Sequence, residues 1–396
     1  MHIRQSWWCG SVVVVAALVG SCQREAASPR AAGAIGVAAA MGGSDAELAG
    51  FARATVRPEL RFPPDHGAHP EFRTEWWYWT GNLRSEAGRR FGVQLVFFRQ
   101  ALAADVPERA AALATRDMML AHAAVTDVDG KRFHHAERTA RATAGLGGVV
   151  GPTTEQPFGV FAADWSARGT VGGTEGGDGF LPTQLRAADD TFGFELEVRP
   201  GKPIVLQGDG GLSQKSAAPG NASIYYSMTR LPMAGTITVA GVAHAVRGEG
   251  WLDREWSTSA LGADQVGWDW FSLQFDDGCE LMWYSLRRAD GSSDPWSRGT
   301  LVLADGSAVR LAPERVVSQP EGRWTAADGR ASYPARWRLR GRDPDFDVEV
   351  VPLLADQELR TIVRYWEGAV EVRGTREGRA VRGVGYLEMT GYDQIK

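Results

Sequence analysis

Cysteine is nearly missing from this chain: Cys9, Cys22 and Cys279 are all it has in 396 residues. That excludes a disulfide framework, and no Cys/His pattern of zinc-binding spacing is present. Charge of one sign is lacking too. A formal net charge of −5 offers no basic surface, so no nucleic-acid partner is expected. Histidine is sparse at 7 residues, and no metal site is expected. His66 and His69 stand in a Pro-rich loop and His134-His135 in a strand or turn, without clustered carboxylates, while His122 near Asp127 reads as a core histidine. Convincing long amphipathic helices are absent, as are a G-x-S-x-G nucleophile elbow and any dinucleotide or phosphate loop, so no cofactor is expected. The longest apolar run also falls short of the roughly 20 residues a spanning helix needs.

What is present begins with a targeting segment. Arg4 precedes an apolar stretch from Trp7 to Val19, and Val19-Gly20-Ser21-Cys22 then resembles the lipobox of exported bacterial lipoproteins. Residues 1–21 are read as a signal peptide, Cys22 as the lipidated residue, and Gln23 as matching the pattern for outer-membrane anchoring facing the periplasm. An ordinary cleaved signal with an incidental cysteine is the alternative. Residues 22–58, rich in Ala, Gly and Ser and without hydrophobic periodicity, read as a flexible tether from a membrane.

Short alternating strands follow. Val93, Leu95 and Phe97 alternate, as do Phe192, Phe194, Leu196 and Val198, and later Phe346, Val348 and Val350. Ile237, Val239 and Val242 flank an Ala-Gly turn. The fold class is all-β.

Three landmarks occur twice in the same order, which argues for internal duplication. Glu75-Trp76-Trp77-Tyr78-Trp79, followed by Val93 to Arg99, is echoed by Gly267-Trp268-Asp269-Trp270-Phe271, followed by Leu281 to Arg287. Phe192 to Pro200 is echoed by Phe346 to Pro352, and Val246 to Asp253 by Val381 to Glu388. Trp77 and Trp268 are thus expected on equivalent opening strands, and Trp251 and Tyr386 on equivalent closing strands. The expectation is two tandem antiparallel β-barrel domains of lipocalin-like type, 59–258 and 259–396. Each is a natural size for one closed barrel, and about eight strands leave room inside for one small ligand. Gly-rich stretches at 145–151 and 169–179 read as loops at a barrel mouth.

The opening strand carries aromatics on both faces: Glu75, Trp77 and Trp79 point one way, Trp76 and Tyr78 the other. Such a strand is either a two-sided core, between barrel interior and second barrel, or the lining of an apolar ligand site. In the closing strand Trp251, Asp253 and Glu255 share one face, and Leu252, Arg254 and Trp256 the other. Buried charge here is either an Arg254–carboxylate bridge that locks the barrels together or an acid beside Trp rings whose pKa burial would raise. The second copy has Met389 and Thr390 in place of Arg254 and Glu255, so charge is concentrated in the first. Tyr225-Tyr226 begin another strand, with one Tyr inside and in need of a partner. The candidate catalytic residues are therefore Asp253, Glu255 and Tyr226; the candidate ligand-binding residues are Trp77, Trp79, Trp251, Trp256, Trp268, Trp270 and Arg254.

The run Glu75 to Leu83 resembles the opening signature of the carotenoid 1,2-hydratase (hydroxyneurosporene synthase)/AttH-like family. Tyr225 to Arg230, Trp251 to Thr258, Gly267 to Phe271, Gln357-Glu358-Leu359, Tyr365 to Gly368 and Gly385 to Glu388 agree with its lipoprotein-like bacterial branch, over about residues 60 to 394. The resemblance implies two lipocalin-like domains and an apolar ligand. Namesake members hydrate the terminal isoprenoid double bond of acyclic carotenoids, and some bacterial members accompany ABC-type export permeases. Two functions stay open: a tethered carrier for an isoprenoid or other lipid, and a cofactor-free hydratase. The second needs an acid, Asp253 or Glu255, and an aromatic wall from Trp251, Trp256, Trp268 or Tyr226 to stabilise a tertiary cation.

Overall fold

A computed structural model describes residues 48–105, 114–153, 156–172, 177–259 and 261–393. The expected signal segment, Cys22 and the tether as far as residue 47 lie outside the described residues. Alternating apolar residues become strands, because a pleated strand sends successive side chains to opposite faces. Thirteen strands build the first sheet. They are β1 (Thr74–Ser85), β2 (Arg90–Ala101), β3 (Asp117–Asp127), β4 (Arg132–Arg141), β5 (Gly147–Val150), β6 (Gly159–Ala162) and β7 (Trp165–Gly172). The remainder are β8 (Gly177–Ala188), β9 (Phe192–Val198), β10 (Val205–Leu206), β11 (Leu212–Gln214), β12 (Ala222–Val239) and β13 (Val242–Ser257). Their order is β4-β3-β2-β1-β13-β12-β9-β8-β7-β6-β5, with β10 and β11 also on β12.

Ten strands build the second sheet. They are β14 (Gln265–Phe275), β15 (Glu280–Arg288), β16 (Arg298–Val302), β17 (Ala308–Leu311), β18 (Val316–Thr325), β19 (Ser332–Gly341), β20 (Phe346–Pro352), β21 (Glu358–Arg360), β22 (Arg364–Arg376) and β23 (Arg379–Thr390). Their order is β17-β16-β15-β14-β23-β22-β20-β19-β18, with β21 also on β22. In each sheet the opening strand pairs antiparallel with the closing strand, β1 with β13 and β14 with β23. Trp77 and Trp268 therefore lie on matching strands, as do Trp251 and Tyr386. The Ala240-Gly241 turn joining β12 to β13 has positive φ at both residues, 49° and 77°, as a tight two-residue hairpin turn demands.

The all-β expectation holds, and both sheets are barrel-like, one nearly closed and one a half-barrel. Full closure does not occur: no ladder joins β4 to β5 or β17 to β18. The terminal strands β5 and β17 have only 4 residues each, which leaves little backbone to complete a ladder. The Gly-rich stretches also differ from expectation. Gly147–Val150 is β5 itself, and residues 169–172 and 177–179 extend the strands β7 and β8. The tether ends earlier than 58, since Leu48, Phe51 and Ala54 are buried. Among the described residues no helix is long and apolar enough to cross a membrane.

Trp77, Trp79, Phe97, Trp165 and Phe194 fill the interior of the first sheet. Phe271, Trp283, Trp337 and Trp366 do the same for the second. A third cluster, with Tyr78, Val96, Tyr225, Trp251, Trp270 and Tyr386, draws on both sheets. Side chains of this size close-pack the interiors, so the ligand space expected inside a barrel is taken up there.

Candidate functional site

A cavity of about 300 Å³ lies where the two sheets meet. The first sheet lines it with Trp76 and Tyr78 of β1, Val96 and Phe98 of β2, His122 of β3, Tyr225 of β12, and Asp253 and Glu255 of β13. The second contributes Trp268 and Trp270 of β14, Tyr284 and Leu286 of β15, Tyr365 and Glu367 of β22, and Glu388 of β23. Strand alternation does this: the residues between these ones fill the sheet interiors, and their neighbours face across.

The ladders show that equivalent faces meet. Tyr78 pairs with Asp253 and Trp270 with Glu388, so Asp253 and Glu388 hold the same position in the two sheets. Trp76 opposite Phe98 matches Trp268 opposite Leu286. Tyr225 opposite Glu255 matches Tyr365 opposite Thr390, and Ser227 opposite Asp253 matches Glu367 opposite Glu388. Charge is thus not concentrated in the first copy, because Glu367 stands where the first sheet has Ser227.

Asp253 is 3% exposed. Its Oδ1 accepts from Ser227 Oγ at 2.5 Å and Trp251 Nε1 at 2.7 Å, and its Oδ2 accepts from the Tyr225 hydroxyl. Trp270 Nε1 in turn donates to Tyr225 at 3.1 Å. Burial pushes Asp253 up to about 7 against these neutral donors, with Glu255 adding to the rise. Burial also pushes Glu388 up to about 7, against a hydrogen bond from Trp268 and helped by Asp253 and Glu255. Glu367 is held well above the carboxylate range by burial and by Glu388 beside it. It accepts from the Tyr78 hydroxyl at Oε1 and from Gln94 Nε2 at 2.8 Å. Near neutral pH this cavity therefore holds carboxyls that are partly protonated against aromatic walls, an arrangement able to deliver a proton to an apolar ligand.

Glu255 has different company. Lys215 Nζ lies 3.1 Å from it, Ser223 Oγ donates to it, and the ammonium sits 4.2 Å from the Tyr284 ring centre. Burial would lower Lys215, but Glu255 and Tyr284 leave it raised. Of the two candidate acids, Asp253 is the one without a cation bound to it.

The profile of the AttH-like family matches residues 53–392. The chain belongs to the AttH-like family. A crystal structure of an AttH-like protein from Nitrosomonas europaea is 33% identical, spans 86% of this chain and 100% of its own, and superposes with a TM-score of 0.72. The structure of kievitone hydratase from Nectria haematococca shares the fold at 14% identity, over 86% of this chain and 95% of its own, with a TM-score of 0.65. No curated protein matches the sequence.

The other candidates of this AttH-like chain fall in three places. Trp268 and Trp270 line the cavity, while Trp251 braces Asp253 and meets Trp270 edge-on at 6.3 Å. Trp77 and Trp79 belong to the interior of the first sheet instead. Arg254, Trp256 and Tyr226 lie under the segment leading into β1, outside the cavity lining. Arg254 and Glu75 are both fully buried and paired through Nη2 and Oε2 at 2.6 Å, with the guanidinium 3.8 Å from the Trp77 ring centre. Burial would raise Glu75, but Arg254, His69 and Arg99 outweigh it and hold it below the usual carboxylate range. The bridge lies within the first sheet and does not join the two. His69 stacks on Trp256 at 3.7 Å, and His66 Nδ1 is 2.6 Å from the Tyr226 hydroxyl. Burial together with Arg254 pushes His66 down to about 3, so it stays neutral.

Sequence reasoning missed Glu367, Lys215 and Glu137, and paired His122 with the wrong acid. Asp127 binds Arg89, whereas His122 contacts Tyr365 and Glu137. One signal was available: Tyr365 and Glu367 share a strand face, as Tyr225 and Ser227 do. Among the described residues no group of three His, Cys, Asp or Glu is placed to hold a metal ion.

Proposed function

We propose that this AttH-like protein is a cofactor-free hydro-lyase adding water to an alkene of an apolar, isoprenoid-type ligand held between its sheets. The observation that carries the reading is Asp253: a buried carboxyl pushed up to about 7, facing a cavity walled by Trp76, Trp268 and Trp270. Its proton passes to one alkene carbon, forming a C–H bond as the π bond breaks. The tertiary cation left behind lies against ring faces that stabilise it. Water then forms the C–O bond and loses a proton to a base. A cavity of about 300 Å³ is at the small end for ligand pockets, which fits a short isoprenoid or the end of a long one. The fold shared with kievitone hydratase is compatible with this chemistry.

A carrier of the same ligand class is the second reading. It is favoured by the full set of donors on Asp253, from Tyr225, Ser227 and Trp251, which leaves the Trp walls to do the binding. On either reading we propose an exported lipoprotein anchored through Cys22 at the outer membrane, facing the periplasm, with an ABC-type export permease as partner.

Incubating the protein with geraniol, farnesol and squalene in water enriched in oxygen-18 tests the enzyme reading. Mass spectrometry is expected to find a tertiary alcohol carrying one labelled oxygen, lost in Asp253→Asn. Quenching of Trp fluorescence by these compounds with no labelled product hands the site to the carrier.

A further inference from the structure

We propose that Glu137, His122 and Tyr365 form the general base of this site, a carboxylate–imidazole–phenol relay that takes the proton from the attacking water. The inference rests on the hydro-lyase reading and supplies the base that reading leaves unassigned. His122, on β3, is 1% exposed yet lines the cavity. Its Nδ1 lies 2.8 Å from the hydroxyl of Tyr365, which comes from the other sheet. Its Nε2 lies 3.0 Å from Oε2 of Glu137 on β4. Glu137 also accepts the backbone N–H of Ile362 at 3.1 Å, so one carboxylate holds both the imidazole and a lip of the cavity.

The hydrogen-bond roles follow from Glu137. Burial would raise its pKa, but the His122 hydrogen bond, the nearby imidazole charge and the Ile362 backbone N–H together outweigh that and lower it, which keeps Glu137 ionised near neutral pH. An ionised carboxylate only accepts, so Nε2 carries a proton, and in the neutral imidazole that the relay requires Nδ1 presents a lone pair. Tyr365 must then donate to Nδ1, and its oxygen, which also accepts from Gln94 Nε2 at 3.3 Å, keeps one lone pair for the attacking water. Burial and Glu367 hold the phenol well above its ordinary value, so Tyr365 takes a proton only while giving one up. As water forms the C–O bond, one water O–H bond breaks and that proton joins the Tyr365 oxygen. The phenol proton moves to Nδ1, and the resulting imidazolium is stabilised by Glu137. When the product leaves, Nδ1 gives its proton back to the Tyr365 oxygen and Tyr365 releases the water-derived proton to solvent entering the cavity, which restores the bare Nδ1, while Asp253 is reprotonated from solvent for the next cycle. Facing His122 are Glu137 and His135 of β4, Phe98 of β2, and Tyr365 of β22 with Glu367 beyond it.

Two measurements on the intact protein test this. Nitrogen-15 NMR at pH 7.5 is expected to show His122 protonated at Nε2 and bare at Nδ1, with the Nδ1 resonance shifting in Tyr365→Phe. The opposite tautomer overturns the relay whether or not any substrate turns over. With geraniol as substrate, Tyr365→Phe is expected to lower kcat roughly 100- to 10,000-fold, with KM little changed, and to abolish the acidic limb of kcat/KM. A purely structural Tyr365 would instead lower the melting temperature and leave the pH profile in place. Wild-type kcat and pH profile in Tyr365→Phe, alongside an inactive Asp253→Asn, overturn the relay and leave the hydro-lyase reading standing. No turnover by the wild type on geraniol, farnesol or squalene overturns that reading itself.

Discussion

The Tyr78 hydroxyl of β1 donates to Oε1 of Glu367 on β22, so a phenol of one sheet holds a carboxyl of the other at the cavity floor. Both groups are displaced upward, Tyr78 by burial and by Glu367, and Glu367 by burial and by Glu388. Their neutral forms are what the fold accommodates.

The contribution of these buried acids to stability should therefore fall with rising pH. Asp253, Glu388 and Glu367 have folded pKa values above their unfolded ones, so their contribution is complete below about 4 and is lost as pH passes upward through the folded values. For Asp253, a change from 3.8 to about 7 corresponds to about 4 kcal/mol. The melting temperature should drop between pH 6.5 and 8.5, above the range in which His66, held neutral, contributes the opposite slope, as followed by circular dichroism. Asp253→Asn should flatten part of that drop and be no less stable than wild type at pH 8. A melting temperature that rises across this range contradicts the assignment.

Arg254 should behave in the opposite way. Arg254→Met leaves Glu75 buried with its main counter-charge removed, at a cost of about 3–5 kcal/mol. Urea unfolding should show the loss, while quenching of Trp fluorescence by geraniol keeps its midpoint, because Arg254 does not line the cavity.

The tryptophans divide by strand face. Trp268→Ala should weaken geraniol binding at least tenfold with little change in melting temperature, since Trp268 is only partly buried and lines the cavity. Trp77→Ala should cost about 3–5 kcal/mol and leave binding unchanged, since Trp77 is fully buried within the first sheet. Isothermal titration and thermal melts on the pair separate the two effects.

Cys22 should take up a fatty-acid probe in cells, and Cys22→Ser should not. Equal labelling of the two would refute the lipid anchor.

Much of this was legible in the residues. Alternation alone placed Trp77 and Trp79 on one face of β1 with Trp76 and Tyr78 on the other, and both faces are covered. The repeat gave Glu388 the place in the second copy that Asp253 has in the first, which the ladders bear out. What alternation does not contain is which face encloses space. Trp and Phe volumes fill the sheet interiors, so the cavity formed where the outer faces meet. Partners joined only by folding were equally out of reach: His122 and Tyr365 are 243 residues apart, and Lys215 reaches Glu255 from a loop without periodicity.

Because matching faces of a duplicated unit enclose the cavity, its two walls began as copies and have since diverged. Identical walls would offer a bound molecule the same partners either way round. Here Asp253 is matched by Glu388, but Ser227 answers Glu367, and Glu255 with Lys215 answers Thr390. An elongated ligand of the proposed kind would therefore meet a different end on each side, and be held in a single direction with one of its faces presented to the acid. Two unlike walls within one chain allow a handedness that a symmetric pair of identical subunits could not provide.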